Sequence, residues 1–249
     1  MDRQRVDTAG HYAARVDDVS QVSPDAVRRD LRACLERWRP NGPLLEVGVG
    51  VGGNLPLISE HGAVVGVDVS LSALRAARPS APVLAADAVR LPFADATFAG
   101  AVCTEVLEHI DDPAVALAEL ARVLRPGALA FVTTPNYSNP VGVHKALADT
   151  VRRRRDYNPW GAHEGGYEAF ITGRRLWRAA RPHFELVDAA ALDYGQALTG
   201  RFRVTDRIAN ARRVYPWVER LVLWAEEPHP RLPFLAWHGM HIRLVLRRS

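Results

Sequence analysis

The stretch Pro43-Leu-Leu-Glu-Val-Gly-Val-Gly-Val-Gly-Gly-Asn54 decides the fold of this chain. Leu44, Leu45 and Val47 form a short apolar run that ends in glycines, and apolar residues resume at helical spacing from Leu55. This pattern predicts a buried strand that turns sharply into a helix. Because glycine has no Cβ, the backbone can adopt positive φ there and a ligand can lie directly against it. The N–H groups at the start of the following helix would then face that ligand.

The glycine pattern alone leaves the kind of ligand open. Gly48, Gly50 and Gly53 also fit the G-x-G-x-x-G spacing of dinucleotide-binding folds, and a tight turn with no ligand is a further alternative. Glu46 stands two residues before Gly48, where a carboxylate would repel a pyrophosphate but suits a cationic ligand. The turn therefore favours a positively charged nucleoside cofactor over NAD.

Downstream of the turn, predicted strands alternate with predicted helices. The strands cover residues 63–69, 82–85, 98–103 and 129–133, and the helices begin near residues 55, 71 and 114. This alternation predicts a parallel sheet covered on both faces, in which ligands gather at the carboxyl ends of the strands. Glu46, Asp68, Asp87 and Glu105 all fall at such ends. A helix over 24–40, another over 172–180 and strands over 184–191 and 241–246 complete the prediction.

Length and composition predict one globular domain. The chain has 249 residues, of which 48% are hydrophobic and 24% charged. We divide the single domain 1–249 into an N-terminal helical cap (1–40), a cofactor-binding core (41–135) and two lid or substrate insertions (136–170 and 195–239). The insertions are rich in aromatic, proline and arginine residues that interrupt the regular alternation.

Charge, cysteine content and hydropathy indicate which kinds of partner and which cellular location to expect. The net charge is +4, but Lys145 is the only lysine, so the arginine excess reflects a compositional bias and predicts no nucleic-acid partner. Two cysteines make a disulfide framework unexpected, and no signal core or membrane-length run is present, which predicts a cytoplasmic protein. The apolar side of residues 216–224 would suit peripheral membrane contact, although packing against the domain is favoured. The oligomeric state is not indicated.

Five motifs in order resemble the class I S-adenosylmethionine-dependent methyltransferases. They are Glu46-Val-Gly-Val-Gly, Gly66-Val-Asp68-Val-Ser, Ala86-Asp87-Ala88, Thr104-Glu105-Val-Leu-Glu108-His109 and Arg122-Val-Leu-Arg-Pro-Gly127. The pattern is most similar to the ubiquinone-biosynthesis O-methyltransferases and covers residues 31–133 strongly. The resemblance implies an α/β, Rossmann-like, doubly wound and mostly parallel seven-stranded sheet with an antiparallel last strand.

The same resemblance implies S-adenosylmethionine as cofactor and assigns its contacts. Asp68 would accept the ribose hydroxyls, and the adenine would lie against Val69 and meet Asp87 and the Ala88 N–H. Glu46 and the backbone near Gly48 and Thr104 would hold the methionine ammonium. The implied cofactor-binding set is Glu46, Gly48, Gly50, Asp68, Val69, Asp87, Ala88, Thr104 and Glu105. Taken singly, Asp68 as a helix cap and Asp87 as a turn residue are alternatives.

A divalent cation, Mg²⁺ or Zn²⁺, is a further candidate. Glu105, Glu108 and His109 are spaced i, i+3 and i+4, which would place them on one face of a helical turn as metal ligands. The resemblance makes His163 the fourth ligand, with His144 as its alternative. Without a metal, Glu105 would line the cofactor pocket, and His109 or His163 would be the catalytic base.

The predicted activity is O-methylation of a small hydroxylated molecule. In such a displacement the protein aligns the nucleophile with the methyl group, excludes water and removes the hydroxyl proton. Methyl transfer to nitrogen or carbon by the same fold is the first alternative. An NAD-dependent oxidoreductase and a non-catalytic cofactor-binding protein are the others.

Overall fold

The computed structural model describes residues 25–136, 171–192 and 241–249. The helices are α1 (Asp25–Trp38), α2 (Leu55–Ser59), α3 (Leu71–Ala77), α4 (Pro113–Val123) and α5 (Gly173–Ala180), with a short 3-10 turn at Leu107–His109. The strands are β1 (Leu44–Val47), β2 (Val64–Asp68), β3 (Val83–Ala85), β4 (Phe98–Thr104), β5 (Leu124–Pro135), β6 (Phe184–Leu192) and β7 (His241–Arg248). Most of the predicted N-terminal cap and nearly all of both predicted insertions lie outside these residues. None of the described helices is both long and apolar enough to span a membrane.

The seven strands form one sheet in the order β3-β2-β1-β4-β5-β7-β6. β1, β2, β3, β4 and β5 pair in parallel, whereas β7 runs antiparallel to both β5 and β6. The predicted fold class is therefore confirmed. The strand order reverses between β1 and β4, and a crevice opens at the carboxyl ends of the strands at such a reversal.

Apolar side chains cover both faces of the sheet. The neighbouring residues Leu44 and Leu45 are both fully buried, yet they belong to different core clusters because successive side chains of a strand point to opposite faces. On one side Leu31 of α1 packs in the cluster that contains Leu44, and on the other Leu117 of α4 packs with Leu45. Ile242, Leu244 and Leu246 share the second cluster, as the alternation in the last strand predicted.

The fifth strand begins earlier than the sequence indicates. The sequence predicts the strand over residues 129–133, but β5 starts at Leu124, directly after α4, and Leu124 pairs with Phe98. The register then shifts before Leu129 pairs with Gly100. Gly127 has φ +77°, a left-handed conformation that allows the chain to bulge here without leaving the sheet.

Arg122 on α4 holds the loop that follows β3. Its guanidinium donates to the carbonyl oxygens of Leu91 (2.9 Å) and Phe93 (2.7 Å) and to the Asp95 carboxylate (2.8 Å). Glu119 accepts from Arg122 and also from the Leu91 N–H, at 2.8 Å. Because this loop begins with Asp87, the Arg122 of the fifth sequence motif anchors one side of the predicted cofactor site.

Candidate functional site

The glycine turn after β1 combines internal packing with open space. A Cβ on Gly48 would lie 2.1 Å from Val106 Cγ2, whereas a Cβ on Gly50 would meet no atom within 4 Å. Both residues have positive φ, +75° and +50°. Gly48 is therefore required by the packing of Val106, and the open approach for a ligand lies at Gly50. A ligand contact with the Gly48 backbone stays a prediction.

Asp68, at the end of β2, ties the glycine turn to the second strand. Its Oδ2 accepts the Gly50 N–H at 2.9 Å, and its Oδ1 accepts the Ser70 N–H at 2.8 Å. Burial raises the pKa of Asp68, although these backbone donors and the Val69 N–H oppose the rise. The cap of α3 is Ser70, which accepts the Ala73 N–H, so Asp68 is not the helix cap. A carboxylate has about four acceptor sites, so room remains for ribose hydroxyls.

Glu46, in β1, has a buried carboxyl group, and only one of its two oxygens has a hydrogen-bond partner among the described residues. Only 1% of the residue is exposed, and its Oε1 accepts a hydrogen bond from Asn54 Nδ2 at 3.0 Å. Its Oε2 is buried and has no hydrogen-bond partner among the described residues. Burial raises the pKa of Glu46 to about 8. The hydrogen bond from Asn54 opposes this rise, and the negative charge of Asp68 adds to it. A buried polar atom without a partner is costly, which makes this oxygen a candidate acceptor for a donor group, and its contact with a ligand stays a prediction.

Glu105, immediately after β4, joins the ends of three strands. Its Oε1 accepts the Thr133 hydroxyl of β5 at 2.7 Å, and its Oε2 lies 3.0 Å from Nδ1 of His241, the first residue of β7. Burial alone would raise the pKa of Glu105, but the charge and hydrogen bond of His241, with Thr133 and His109, lower it. The backbone of Glu105 has φ +55°, which is rare for a non-glycine residue and is found preferentially at functional sites.

The prediction that Glu105, Glu108 and His109 share one face of a helical turn is wrong. The left-handed backbone places Glu105 outside the 3-10 turn, which contains only Leu107–His109, and directs its carboxylate to Thr133 and His241. Glu108 is buried, and its Oε1 lies 3.7 Å from His109 Nε2. No group of three potential ligand residues within the described part of the chain is placed to hold a metal. His163 and His144 lie outside the described residues.

The predicted adenine contacts lie at the ends of β2 and β3. Asp87 is exposed, and its Oδ1 accepts the Val89 N–H at 3.1 Å, so the turn role is observed. Ala88 is buried and Val69 is half-buried. These positions border the crevice, and their contact with an adenine stays a prediction.

Three polar residues of the site received no role from the sequence. Asn54 donates to Thr104 Oγ1 at 3.2 Å as well as to Glu46, and Thr133 and His241 hold Glu105. Asn54 was visible as a polar residue at a helix start. His241 carried no local signal, because it is 136 residues from Glu105 in the chain.

Comparison with known proteins supports the same family. The family model "Methyltransferase domain" matches residues 45–132. A phosphatidylethanolamine N-methyltransferase of Cereibacter sphaeroides is 35% identical over 171 residues, which cover 64% of this chain and 77% of that protein. A demethylmenaquinone methyltransferase of Corynebacterium kroppenstedtii is 38% identical over 41% of this chain and 45% of its own length. An O-methyltransferase of Aspergillus sclerotiorum is 35% identical over 45% of this chain and 46% of its own length.

A solved structure shows the same fold at low identity. The S-adenosylmethionine-dependent methyltransferase from Mesorhizobium loti has a TM-score of 0.59 and 17% identity, over 90% of this chain and 99% of that one. The chain spans about half the length, or less, of most of the curated relatives that it matches. The strand order, the acids at the strand ends and these similarities agree, and the chain belongs to the class I S-adenosylmethionine-dependent methyltransferases.

Proposed function

We propose that this chain transfers a methyl group from S-adenosylmethionine to a hydroxyl oxygen of a small molecule. The observation that carries the proposal is the arrangement of two carboxyl groups at neighbouring strand ends. Glu46, at the end of β1, offers an oxygen that has no partner among the described residues, and Glu105, at the end of β4, contacts a histidine. The first suits a cationic cofactor, and the second suits an acceptor that must lose a proton.

The residues present fit the cofactor. The space beside Gly50 leaves the turn open, and the buried Glu46 oxygen can accept from the ammonium of the amino-acid end. Asp68 keeps acceptor sites for the ribose while its backbone donors hold it in place. When bound, the cofactor supplies an electrophilic methyl group on a positively charged sulfonium.

The acceptor side would be served by histidines. His241 is held against Glu105, and His109 lies four residues after Glu105, at the end of the 3-10 turn that follows β4. A histidine paired with a carboxylate can take a hydroxyl proton at neutral pH. The described residues give no support for a cation, so the metal-assisted form of the proposal depends on His163. The similarity to an O-methyltransferase supports oxygen as the acceptor atom.

Nitrogen is the second candidate acceptor atom. This chain covers 77% of the length of a phosphatidylethanolamine N-methyltransferase with which it is 35% identical over 171 residues. An amine acceptor of this kind would use the same cofactor site. The two candidates differ in the product and not in the cofactor.

Calorimetric titration followed by a transfer assay tests the proposal. We expect S-adenosylmethionine and S-adenosylhomocysteine to bind with micromolar Kd and NAD not to bind. Release of S-adenosylhomocysteine is then measured with panels of phenols, sugars, amines and phosphatidylethanolamine vesicles. Activity with hydroxylated acceptors that falls at least about tenfold in His241→Asn or His109→Asn would support a histidine base.

The assay is repeated after chelation, with Mg²⁺ or Zn²⁺ restored, and with His163→Ala. Loss of activity on chelation and in that variant would support the metal-assisted form. Methyl transfer to amines alone would contradict O-methylation, and the absence of binding by either sulfur nucleoside would contradict the whole proposal.

A further inference from the structure

Asn54 occupies the N-cap of α2 but does not cap it. Asparagine is among the preferred N-cap residues, because its side-chain oxygen normally accepts an N–H of the first helical turn. Here no such bond forms, and the backbone of Asn54 has φ −94° and ψ −19°. The side chain turns away from its own helix and into the sheet. A residue that forgoes the local bond at this position indicates a role elsewhere.

The amide of Asn54 bridges two neighbouring strand ends. Its Nδ2 donates to Glu46 Oε1 at 3.0 Å and to Thr104 Oγ1 at 3.2 Å. An amide NH₂ carries two hydrogens, so one bond to each strand uses the group fully. Asn54, Glu46 and Thr104 are all at least nine-tenths buried. β1 and β4 pair directly, with Val47 opposite Cys103, so the bridge lies where the strand order reverses.

This bridge determines which Glu46 oxygen is available. Oε1 is held by Asn54, and Oε2 is the buried oxygen without a partner among the described residues. Rotation of the carboxyl group would break the bond to Asn54. The bond therefore keeps Oε2 in one orientation before any ligand binds, and such preorganisation lowers the entropic cost of binding.

We propose that Asn54 is a positioning residue that fixes the Glu46 carboxylate for the ammonium group at the amino-acid end of the cofactor. This inference rests on the proposed function, and it names the residue that makes the site selective for that end. By the assignment of Asp68 and Asp87 above, the adenosine end would contact other strand ends and would be independent of the bridge. Ligands with and without an ammonium group should therefore respond differently to loss of Asn54.

The charge state of Glu46 supports the same role. Burial raises the pKa of Glu46 and the nearby Asp68 adds to the rise, while the hydrogen bond from Asn54 lowers it. Without Asn54 the carboxyl group would hold its proton more strongly at neutral pH. A protonated Glu46 would pair less well with an ammonium ion.

The test compares two ligands in Asn54→Ala and Thr104→Val. S-adenosylhomocysteine carries the amino-acid end, and 5′-methylthioadenosine lacks it. A hydrogen bond to a charged group contributes about 1.5–3 kcal/mol, so Asn54→Ala is expected to raise the Kd of S-adenosylhomocysteine by about tenfold or more. The Kd of 5′-methylthioadenosine is expected to stay within about twofold, since this ligand has no ammonium group to pair with Glu46. Thr104→Val removes one of the two acceptors of the Asn54 amide and retains Asn54. It is expected to raise the Kd of S-adenosylhomocysteine by a smaller factor than Asn54→Ala does, and again to leave the Kd of 5′-methylthioadenosine unchanged.

Two controls separate positioning from general damage. The Thr172 side chain caps α5 by accepting the Arg175 N–H. Thr172→Ala removes this cap and should lower the stability of the protein without changing the Kd of either ligand. In a Glu46→Gln background, Asn54→Ala should have little further effect on S-adenosylhomocysteine if it acts through Glu46.

Parallel losses for both ligands, or full additivity with Glu46→Gln, would overturn the positioning role. Unchanged affinity of both ligands in Asn54→Ala would overturn it as well. A wild-type protein that binds neither ligand would overturn the proposed function itself, and the positioning role with it.

Discussion

Burial of the Glu46 carboxyl group lowers the stability of the folded chain when the group is ionised. Its pKa is about 8 in the folded chain against 4.5 for an ordinary glutamate, with burial as the main cause. A raised pKa means that the folded state favours the protonated form. The contribution of Glu46 to stability is therefore full below pH 4.5 and is lost as the pH rises through about 8.

Glu46→Gln is expected to stabilise the free protein at pH 8 and to change it little at pH 4.5, because glutamine keeps the shape without the buried charge. One pKa unit corresponds to about 1.4 kcal/mol, so the free energy of unfolding of Glu46→Gln at pH 8 is expected to exceed that of the wild type by about 2–4 kcal/mol. Thermal unfolding at several pH values measures it, and Glu60→Gln, an exposed carboxylate, is the control. The same variant should bind S-adenosylhomocysteine more weakly, with a Kd raised by about tenfold or more. A melting temperature that falls equally at both pH values would contradict this account.

The position of Glu46 was predictable and its environment was not. An acid two residues before a glycine turn is visible in the sequence, and so are Asp68 and Glu105 at their strand ends. The bond from Asn54 and the left-handed backbone of Glu105 are consequences of packing between strands. The helical spacing of Glu105, Glu108 and His109 predicted one shared face of a helical turn. That prediction is wrong because the positive φ of Glu105 places this residue outside the turn.

At the scale of elements, α4 secures the loop that carries Asp87. Arg122 donates to two carbonyl oxygens and two carboxylates in a fork that lysine cannot reproduce. We expect Arg122→Lys to weaken the binding of S-adenosylhomocysteine and of 5′-methylthioadenosine by a similar factor, about three- to tenfold, because the loop carries Asp87, which we assign to the adenine end. Titration calorimetry measures both. The matched control is Arg247→Lys, whose pair with Glu185 is exposed and 3.8 Å long.

The contrast with Asn54 makes this element-scale prediction specific. A loss restricted to S-adenosylhomocysteine in Arg122→Lys would place the loop at the amino-acid end and contradict the assignment of Asp87 to the adenine side. Unchanged affinity for both ligands would show that the loop keeps its conformation without the arginine fork.

At the scale of the whole molecule, Arg243 connects the two ends of the described chain. This residue of β7 is 4% exposed and donates to Asp30 of α1 and to Asp188 of β6, each at 2.8 Å. Removal of one partner of a buried ion pair typically costs about 3–5 kcal/mol, because the remaining charge stays buried. Urea unfolding is expected to show that Arg243→Met lowers the free energy of unfolding by about 3–5 kcal/mol.

Asp188→Asn is the milder comparison, since the Asp188 side chain is 47% exposed and can be solvated by water. A double variant Asp30→Leu with Arg243→Met should recover part of the loss, because it removes both the cation and its more buried carboxylate. Equal losses for Arg243→Met and Asp188→Asn would contradict the buried character of the Arg243 pair.

The sequence by itself determined the order of strands and helices, the glycine turn and the acids at the strand ends. These features follow from local periodicity, caps and backbone freedom, which act over a few residues. Only the tertiary structure decided the contacts of the site. Asn54 meets Thr104 across 50 residues, Glu105 meets His241 across 136, and Arg243 meets Asp30 across 213. Such pairs depend on which strands are neighbours in the sheet, and neighbouring strands are set by the packing of the whole chain.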